Sequence, residues 1–259
     1  MGRFEKQLSF KKPVMKFNHK THFTLLFLSI ILLSVLSCKK DKKDEVEIYT
    51  CATCKTTPDA LAANNSLSKG IYKGVVIGST GTIKFDIANN GSTITAVMVL
   101  DGVTVNLTSS VSLVAGQTYT APFTGTLNGS PVSITFSVGS TGQTPTITTS
   151  SIPGHPNASF LLSKEVSTAL MEAYVGTYST TTSETGIFNI VLSRSVNLWG
   201  AIARKDGGSS NSFDNGTIVN NALINSNGTT VGTLSGDALN GKFTGGNGIV
   251  ITITGKRTL

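Results

Sequence analysis

Residues that could serve as catalytic acids, bases or nucleophiles are sparse in this sequence. Beyond residue 38 the only histidine is His155, which lies between Gly154 and Pro156 in a stretch typical of a loop. A serine hydrolase built on this chain would have to use that histidine, and no Gly-x-Ser-x-Gly nucleophile motif occurs. We therefore expect His155 to be a solvated turn residue, and the sequence assigns no catalytic residue.

Carboxylates could support glycoside hydrolysis or calcium binding. Glycosidases need two carboxylates about 5–10 Å apart in one cleft, and the acids beyond residue 70 are scattered singly along the chain. Asp206 and Asp214 flank an oxygen-rich stretch that could hold Ca²⁺, although it lacks the ligand spacing of an EF-hand loop. A flexible hairpin loop is the alternative that this composition favours. No other metal and no cofactor is expected.

Three aromatic residues are candidates for ligand contact, because exposed aromatic rings offer a large, amphipathic contact surface. Trp199 is the lone tryptophan, and Tyr72 and Tyr178 occupy matching positions in the repeat described below. A core position is the alternative for each. Trp199 aligns with Ile94, and the two tyrosines match each other, which favours a structural role.

The three cysteines are Cys38, Cys51 and Cys54. A redox role for the Cys51/Cys54 pair would want the first thiol at a helix N-terminus beside a strand, and no such pattern surrounds it. A zinc site would want two further soft ligands. The pattern favours a small structural disulfide between Cys51 and Cys54, formed in an oxidising compartment.

An apolar run occupies residues 23–36, with basic residues before it and Ser37 after it. Its 14 residues fall short of the roughly 20 that a membrane-spanning helix needs. The layout is typical of a cleaved signal peptide, which we predict over residues 1–37. Residues 38–69, which include the cysteine pair, are predicted to be a flexible tether.

Val35-Leu36-Ser37-Cys38 resembles the lipobox of bacterial lipoproteins. The resemblance implies that the chain is cut before Cys38, that this thiol carries a diacylglyceryl group, and that the new amino terminus is acylated. Each buried methylene contributes about 0.8 kcal/mol, so two or three acyl chains would hold the protein at a bilayer. The charged stretch 39–45 is similar to the tract that follows the acylated cysteine in surface lipoproteins of the Bacteroidota. The resemblance implies an outer-membrane location, at the cell surface or the periplasmic face, while a solvated spacer is the alternative for the tract.

The net charge of +7 is concentrated in the predicted signal peptide, where six basic residues and one acid give +5. The remainder is near +2, with its charges dispersed. A nucleic-acid-binding protein needs a concentrated basic face, so this class of function is excluded.

The part of the chain beyond residue 70 reads as a tandem repeat. Six pairs of matching segments, among them 70–72 with 176–178 and 83–87 with 188–192, are separated by 105 to 107 residues. Alternating apolar and polar residues, interrupted by Asn-Gly and Asp-Gly pairs, predict antiparallel strands joined by tight turns. We expect an all-β fold of antiparallel meanders, with five to seven strands in each copy.

The repeats are predicted to span residues 70–150 and 176–259, with a loop and a linking segment at 151–175. Apolar residues at helical spacing within 159–173 predict one amphipathic helix there. The two copies would form either two small barrels or sandwiches in contact, or one joint barrel that removes the exposed sheet edges.

The sequence thus favours a membrane-anchored lipoprotein that binds a glycan, a small apolar ligand or a protein at the cell envelope without catalysing a reaction. A lipid-anchored hydrolase acting on envelope glycans and a structural envelope component are the alternatives. A cleft that unites several carboxylates would favour the hydrolase, and a barrel interior lined by apolar residues would favour a carrier.

Overall fold

A computed structural model of the chain describes residues 48–259, and these residues form an all-β structure with sixteen strands. The only helical segments in this part of the chain are two 3₁₀ turns, Ala62–Asn64 and Gly246–Gly248. The predicted signal peptide, the lipidation of Cys38 and the charged tract lie outside the described residues.

The first eight strands form one antiparallel sheet with the order β7-β6-β5-β4-β3-β2-β1-β8. Its strands are β1 (Gly70–Ile77), β2 (Gly81–Ile87), β3 (Ile94–Leu100), β4 (Val103–Thr108), β5 (Tyr119–Leu127), β6 (Ser130–Val138), β7 (Thr146–Ser151) and β8 (Ser159–Glu165). We call this sheet the first barrel, because it curls around a single apolar core.

The last eight strands form a closed antiparallel barrel, the second barrel, in which β16 pairs with β9. Its strands are β9 (Glu172–Thr180), β10 (Thr185–Ser193), β11 (Leu198–Lys205), β12 (Ser212–Val219), β13 (Ala222–Asn225), β14 (Thr230–Ser235), β15 (Ala238–Thr244) and β16 (Val250–Arg257).

The two barrels have the same strand order, since each strand of the first corresponds to the strand eight places later in the second. Of the two predicted arrangements, two tandem barrel-like copies are confirmed rather than one joint barrel, with eight strands in each copy rather than five to seven. The copies differ at one seam. β15 and β16 are hydrogen-bonded along their length, whereas β7 and β8 are not neighbours in the first sheet.

The predicted linking helix is wrong, because strands β8 and β9 occupy that segment. β8 pairs with β1 from Ile71 opposite Glu165 to Ile77 opposite Ser159. Phe160 and Leu162 pack on the first core, and Leu161 packs on the opposite side, between the barrels. A strand with apolar residues on both faces loses the alternation that identifies a half-buried strand, and its apolar run then resembles a helix.

The pairing register also corrects the alignment of the repeats at their first strand. Tyr72 pairs with Phe85, and Tyr174 pairs with Ile190, which is the equivalent of Phe85 at the 105-residue offset. Tyr72 therefore corresponds to Tyr174, not to Tyr178. Tyr178 lies four residues further on and occupies the place of Val76.

The barrels pack on each other through the outer face of β1. Val75 and Ile77 of β1 meet Val191 and Ile202 of the second barrel in a buried apolar cluster. All eight residues of β1 are buried, because its other face lines the core of the first barrel. The side chain of Asn189 on β10 donates a hydrogen bond to the Val76 carbonyl at 2.7 Å, which satisfies a polar group within the interface.

Residues 48–69 lie against both barrels. Cys51 and Cys54 are bonded to each other, with their Cα atoms 5.4 Å apart. The Asp237 amide of the second barrel donates to the Tyr49 carbonyl at 3.0 Å, and the Cys51 amide donates to the Asp237 carboxylate at 2.7 Å. Further along, Asn64 donates to Asn89 of the first barrel. This part of the predicted tether is thus bonded to the folded body.

Candidate ligand-binding site

One end of the second barrel opens into a cavity of about 430 Å³. The loops β9–β10, β11–β12 and β15–β16 surround it, and we call this end the mouth. Phe188, Phe243, Ile251 and Ile253 form its apolar floor, and Tyr178, Glu184 and Lys205 form its polar rim. The cavity is of the size that small-molecule sites in proteins commonly have.

The two barrels place side chains of different size at equivalent interior positions. Met98 pairs with Ile83 in the first barrel and is fully buried, whereas its equivalent Ala203 pairs with Phe188 and lines the mouth. Phe85, whose ring stacks on Phe136 at 4.4 Å, is replaced by Ile190. Small eight-stranded barrels have room either for packed side chains or for one small ligand.

The rim forms a short chain of charge-assisted contacts. The Tyr178 hydroxyl donates to Glu184 Oε1 at 2.9 Å, and Lys205 Nζ lies 3.0 Å from Glu184 Oε2. Hydrogen bonding to Lys205 and Tyr178 lowers the pKa of Glu184 below its ordinary value. Burial, with the adjacent carboxylate, raises the pKa of Tyr178 to about 12. At neutral pH the rim thus presents a phenol, a carboxylate and an ammonium group above an apolar floor.

The opposite end of the second barrel is closed by ion pairs. Glu172 is buried and accepts from Arg194 Nε at 3.1 Å, from the Tyr174 hydroxyl at 3.2 Å, and pairs with Arg257 at 3.5 Å. Residues Tyr49 and Cys51 dock at this end through Asp237. β15 begins next to Asp237 and ends at the mouth. Tyr49 and Cys51 therefore dock at the end of the second barrel that is opposite the cavity.

The structure brings only one of the three aromatic candidates to the mouth. Tyr178 lies there. Tyr72 is fully buried in the first core, where its hydroxyl donates to the Ser68 carbonyl at 2.8 Å. Trp199 is 4% exposed in the second core, and its Nε1 donates to the Thr217 carbonyl at 3.1 Å. Tyr72 and Trp199 are thus core residues of the first and second barrels.

The remaining polar candidates lie outside the mouth. Asp206 accepts from the Thr185 hydroxyl at 2.6 Å, while Asp214 accepts from the Asn225 side chain at 3.3 Å. They thus bind different partners, and no group of three or more His, Cys, Asp or Glu residues in the described range could hold a metal ion. His155 sits between the barrels, with Nδ1 at 3.0 Å from the Gly78 carbonyl.

Sequence reasoning missed the residues that make the mouth: Phe188, Ala203, Glu184, Lys205 and Phe243. One signal was present. The offset that aligns Ile94 with Trp199 also places the small Ala203 opposite the large Met98. That difference marks a position where the two interiors are filled differently, although it does not say which end of the barrel is open.

Comparison with known proteins gives no relative for this chain, since no family model, no curated protein and no solved structure matches it. None of the helical segments within residues 48–259 has the length and apolar character needed to cross a membrane.

Proposed function

We propose that this protein is an exported lipoprotein, anchored through Cys38, whose second barrel binds a small molecule at its mouth without transforming it. The observation that carries the proposal is the cavity of about 430 Å³ at the open end of a closed barrel. Small-molecule sites combine an apolar lining with a few convergent polar groups, and the mouth has both.

The ligand is a small, largely apolar molecule with a hydrogen-bonding or anionic group. Its apolar body would lie against Phe188 and Phe243. Its polar group would exchange hydrogen bonds with Tyr178, Glu184 and Lys205, which already form a connected network. A concave mouth of this size suits a small molecule better than a protein surface, because protein–protein contacts are larger and flatter.

Two features support the proposal. The number of carboxylates at the mouth favours binding over hydrolysis, and the N-terminal segment of the described chain docks at the end opposite the mouth. Glu184 is the one carboxylate lining the described mouth, and it is held by Tyr178 and Lys205, whereas glycosidases use two acids. The described chain reaches the second barrel at its closed end. Within the described residues, the first residues thus contact the second barrel at the end opposite the mouth.

Filling the cavity tests the proposal. Ala203→Met places in the second barrel the residue that fills the first, and we expect it to weaken binding of the fluorescent probe 1-anilinonaphthalene-8-sulfonate by about tenfold or more, since a blocked pocket loses most of its buried contact area. Val219→Met, on an exposed site of β12, adds the same side chain outside the cavity and should leave the affinity unchanged. Fluorescence titration of both variants provides the comparison.

Three outcomes would contradict the proposal. These are the absence of saturable probe binding by the wild-type protein, binding by Ala203→Met as tight as that of wild type, and cleavage of any of a panel of short glycans. The anchoring part is tested separately by mass spectrometry of the membrane-extracted protein. A chain beginning at an unmodified Cys38, or still carrying residues 1–37, would overturn that part alone.

A further inference from the structure

A second cavity, of about 260 Å³, lies in a cleft between the two barrels. Gly78, His155 and Asn157 of the first barrel line one side, and Arg204 and Gly207 of the second barrel line the other. It adjoins the mouth, because Arg204 and Lys205 line both cavities, while Gly78, His155 and Asn157 line this cleft alone. Successive residues of a strand point to opposite faces, so Ala203 lines the mouth, while the side chain of Arg204 reaches outward to Ser159 of the first barrel.

Arg204 is the unusual group in this cleft, because it is 7% exposed and lacks a carboxylate partner. Its Nε donates to Asn211 Oδ1 at 2.7 Å and its Nη2 to Ser159 Oγ at 3.3 Å. A guanidinium has five N–H donors, so these two neutral acceptors leave most of them unused. No acid of residues 48–259 forms an ion pair with it.

The other buried cations of the described chain are compensated. Lys73 Nζ lies 2.5 Å from Glu165 Oε2, and Arg257 pairs with both Glu172 and Asp237. Buried charges in proteins are ordinarily paired in this way, since an unpaired one is costly to remove from water. Burial lowers the pKa of Arg204 below its ordinary value, with no neighbouring carboxylate to raise it again.

The cleft around Arg204 is lined by glycines and by charged residues that already have partners. Gly78 lies so close to the guanidinium that a Cβ added there would stand 2.7 Å from Nη1. A Cβ added at Gly154 or Gly207 would meet no heavy atom within 4 Å. The nearby Asp206 is engaged by the Thr185 hydroxyl at 2.6 Å, and Lys205 by Glu184 at 3.0 Å.

We propose that this cleft binds an oxyanion, a phosphate, sulfate or carboxylate group of a small molecule, through the guanidinium of Arg204. The planar fork of arginine matches two oxygens of such a group. The ligand would supply the negative charge that the described protein does not. Because the cleft joins residues of both barrels, the bound oxyanion also links them.

Calorimetric titration of the full-length protein with sodium phosphate, sodium sulfate and sodium acetate, at constant ionic strength, tests this site. We expect saturable binding of at least one anion, and the comparison among the three identifies the oxyanion class. Arg204→Lys keeps the charge but loses the fork and should weaken binding by about tenfold or more, and Arg204→Gln should abolish it. Lys242→Gln removes one positive charge at an exposed site of β15 and should change nothing.

The absence of saturable binding of all three anions to the wild-type protein would overturn the proposal, as would unchanged affinity in Arg204→Lys. If Arg204→Gln fails to fold, as judged by circular dichroism, the wild-type and Arg204→Lys titrations still decide the matter. The Ala203→Met variant should bind the oxyanion normally, so failure of this site and failure of the mouth are distinguishable.

Discussion

At the scale of single residues, the two repeats differ in how their interiors are filled. Phe85 and Met98 pack the first barrel, and Ile190 and Ala203 stand in their places in the second. The 105-residue offset was readable from the sequence. The opening itself was not, because it depends on which of these side chains point inward and on the loops that leave one end uncovered.

Another residue-scale feature is the buried ion pair of Lys73 and Glu165, whose side chains are 2% and 0% exposed and lie 2.5 Å apart. Glu165 also accepts from the backbone amides of Asp59 at 2.7 Å and Met171 at 3.0 Å. It therefore joins the N-terminal segment, the first barrel and the connection to the second. The sequence shows both residues, but not that β1 and β8 bring them together.

Glu165→Gln should destabilise the protein by about 3–5 kcal/mol, because it leaves the Lys73 ammonium buried without a counter-charge. Urea unfolding followed by circular dichroism measures the change. The double variant Lys73→Met with Glu165→Gln removes the stranded charge and should recover part of the loss. A loss below about 1 kcal/mol in the single variant would contradict the importance of this pair.

At the scale of elements, β8 shows why one strand escaped sequence-based prediction. Its apolar residues serve two surfaces, with Phe160 and Leu162 in the first core and Leu161 in the interface. Strands with one wet face, such as β2 and β6, were predicted correctly from their alternation. The pairing of β8 depends on its neighbour β1, because Gly74 lacks a side chain and lets the backbone of β8 approach closely.

Gly74→Ala should separate β8 from β1. A Cβ at Gly74 would collide with the Leu161 carbonyl and stand 2.5 Å from Leu162 Cδ2. We expect a loss of about 1–3 kcal/mol in the free energy of unfolding, typical of overpacking. Gly200→Ala is the matched control in β11, because its Cβ would meet nothing closer than 3.6 Å. Equal stabilities of the two variants would contradict the assigned β1–β8 packing.

At the scale of the whole molecule, the described chain is two barrels that share the outer face of β1. The repeat predicted two copies but left open whether they form two barrels or one joint barrel, and it did not reveal the interface. The apolar run of β1 does not reveal that one of its faces packs on a neighbouring barrel instead of water. Val75, Ile77, Val191 and Ile202 form the contact, and Asn189 anchors it to the Val76 carbonyl.

Val191→Asp should uncouple the barrels, because it places an unpaired charge at a position that is 4% exposed. We expect a loss of about 3 kcal/mol or more. In differential scanning calorimetry we expect one transition for the wild type and two separate transitions for the variant. Val219→Asp, at a position that is 48% exposed, introduces the same charge and should change stability by less than about 0.5 kcal/mol. A single unshifted transition in Val191→Asp would argue that the barrels are not coupled through this face.

The docking of Tyr49 and Cys51 on Asp237 determines how mechanical tension enters the molecule. A pull on the chain from before residue 48 acts first on the β14–β15 hairpin, through the reciprocal bonds between Tyr49, Cys51 and Asp237. The Tyr49 hydroxyl donates a hydrogen bond to the Arg257 carbonyl, and this bond transmits the force to β16. The second barrel is therefore loaded before the first, although the first barrel comes earlier in the sequence. The force acts at the end of the second barrel that is opposite the mouth.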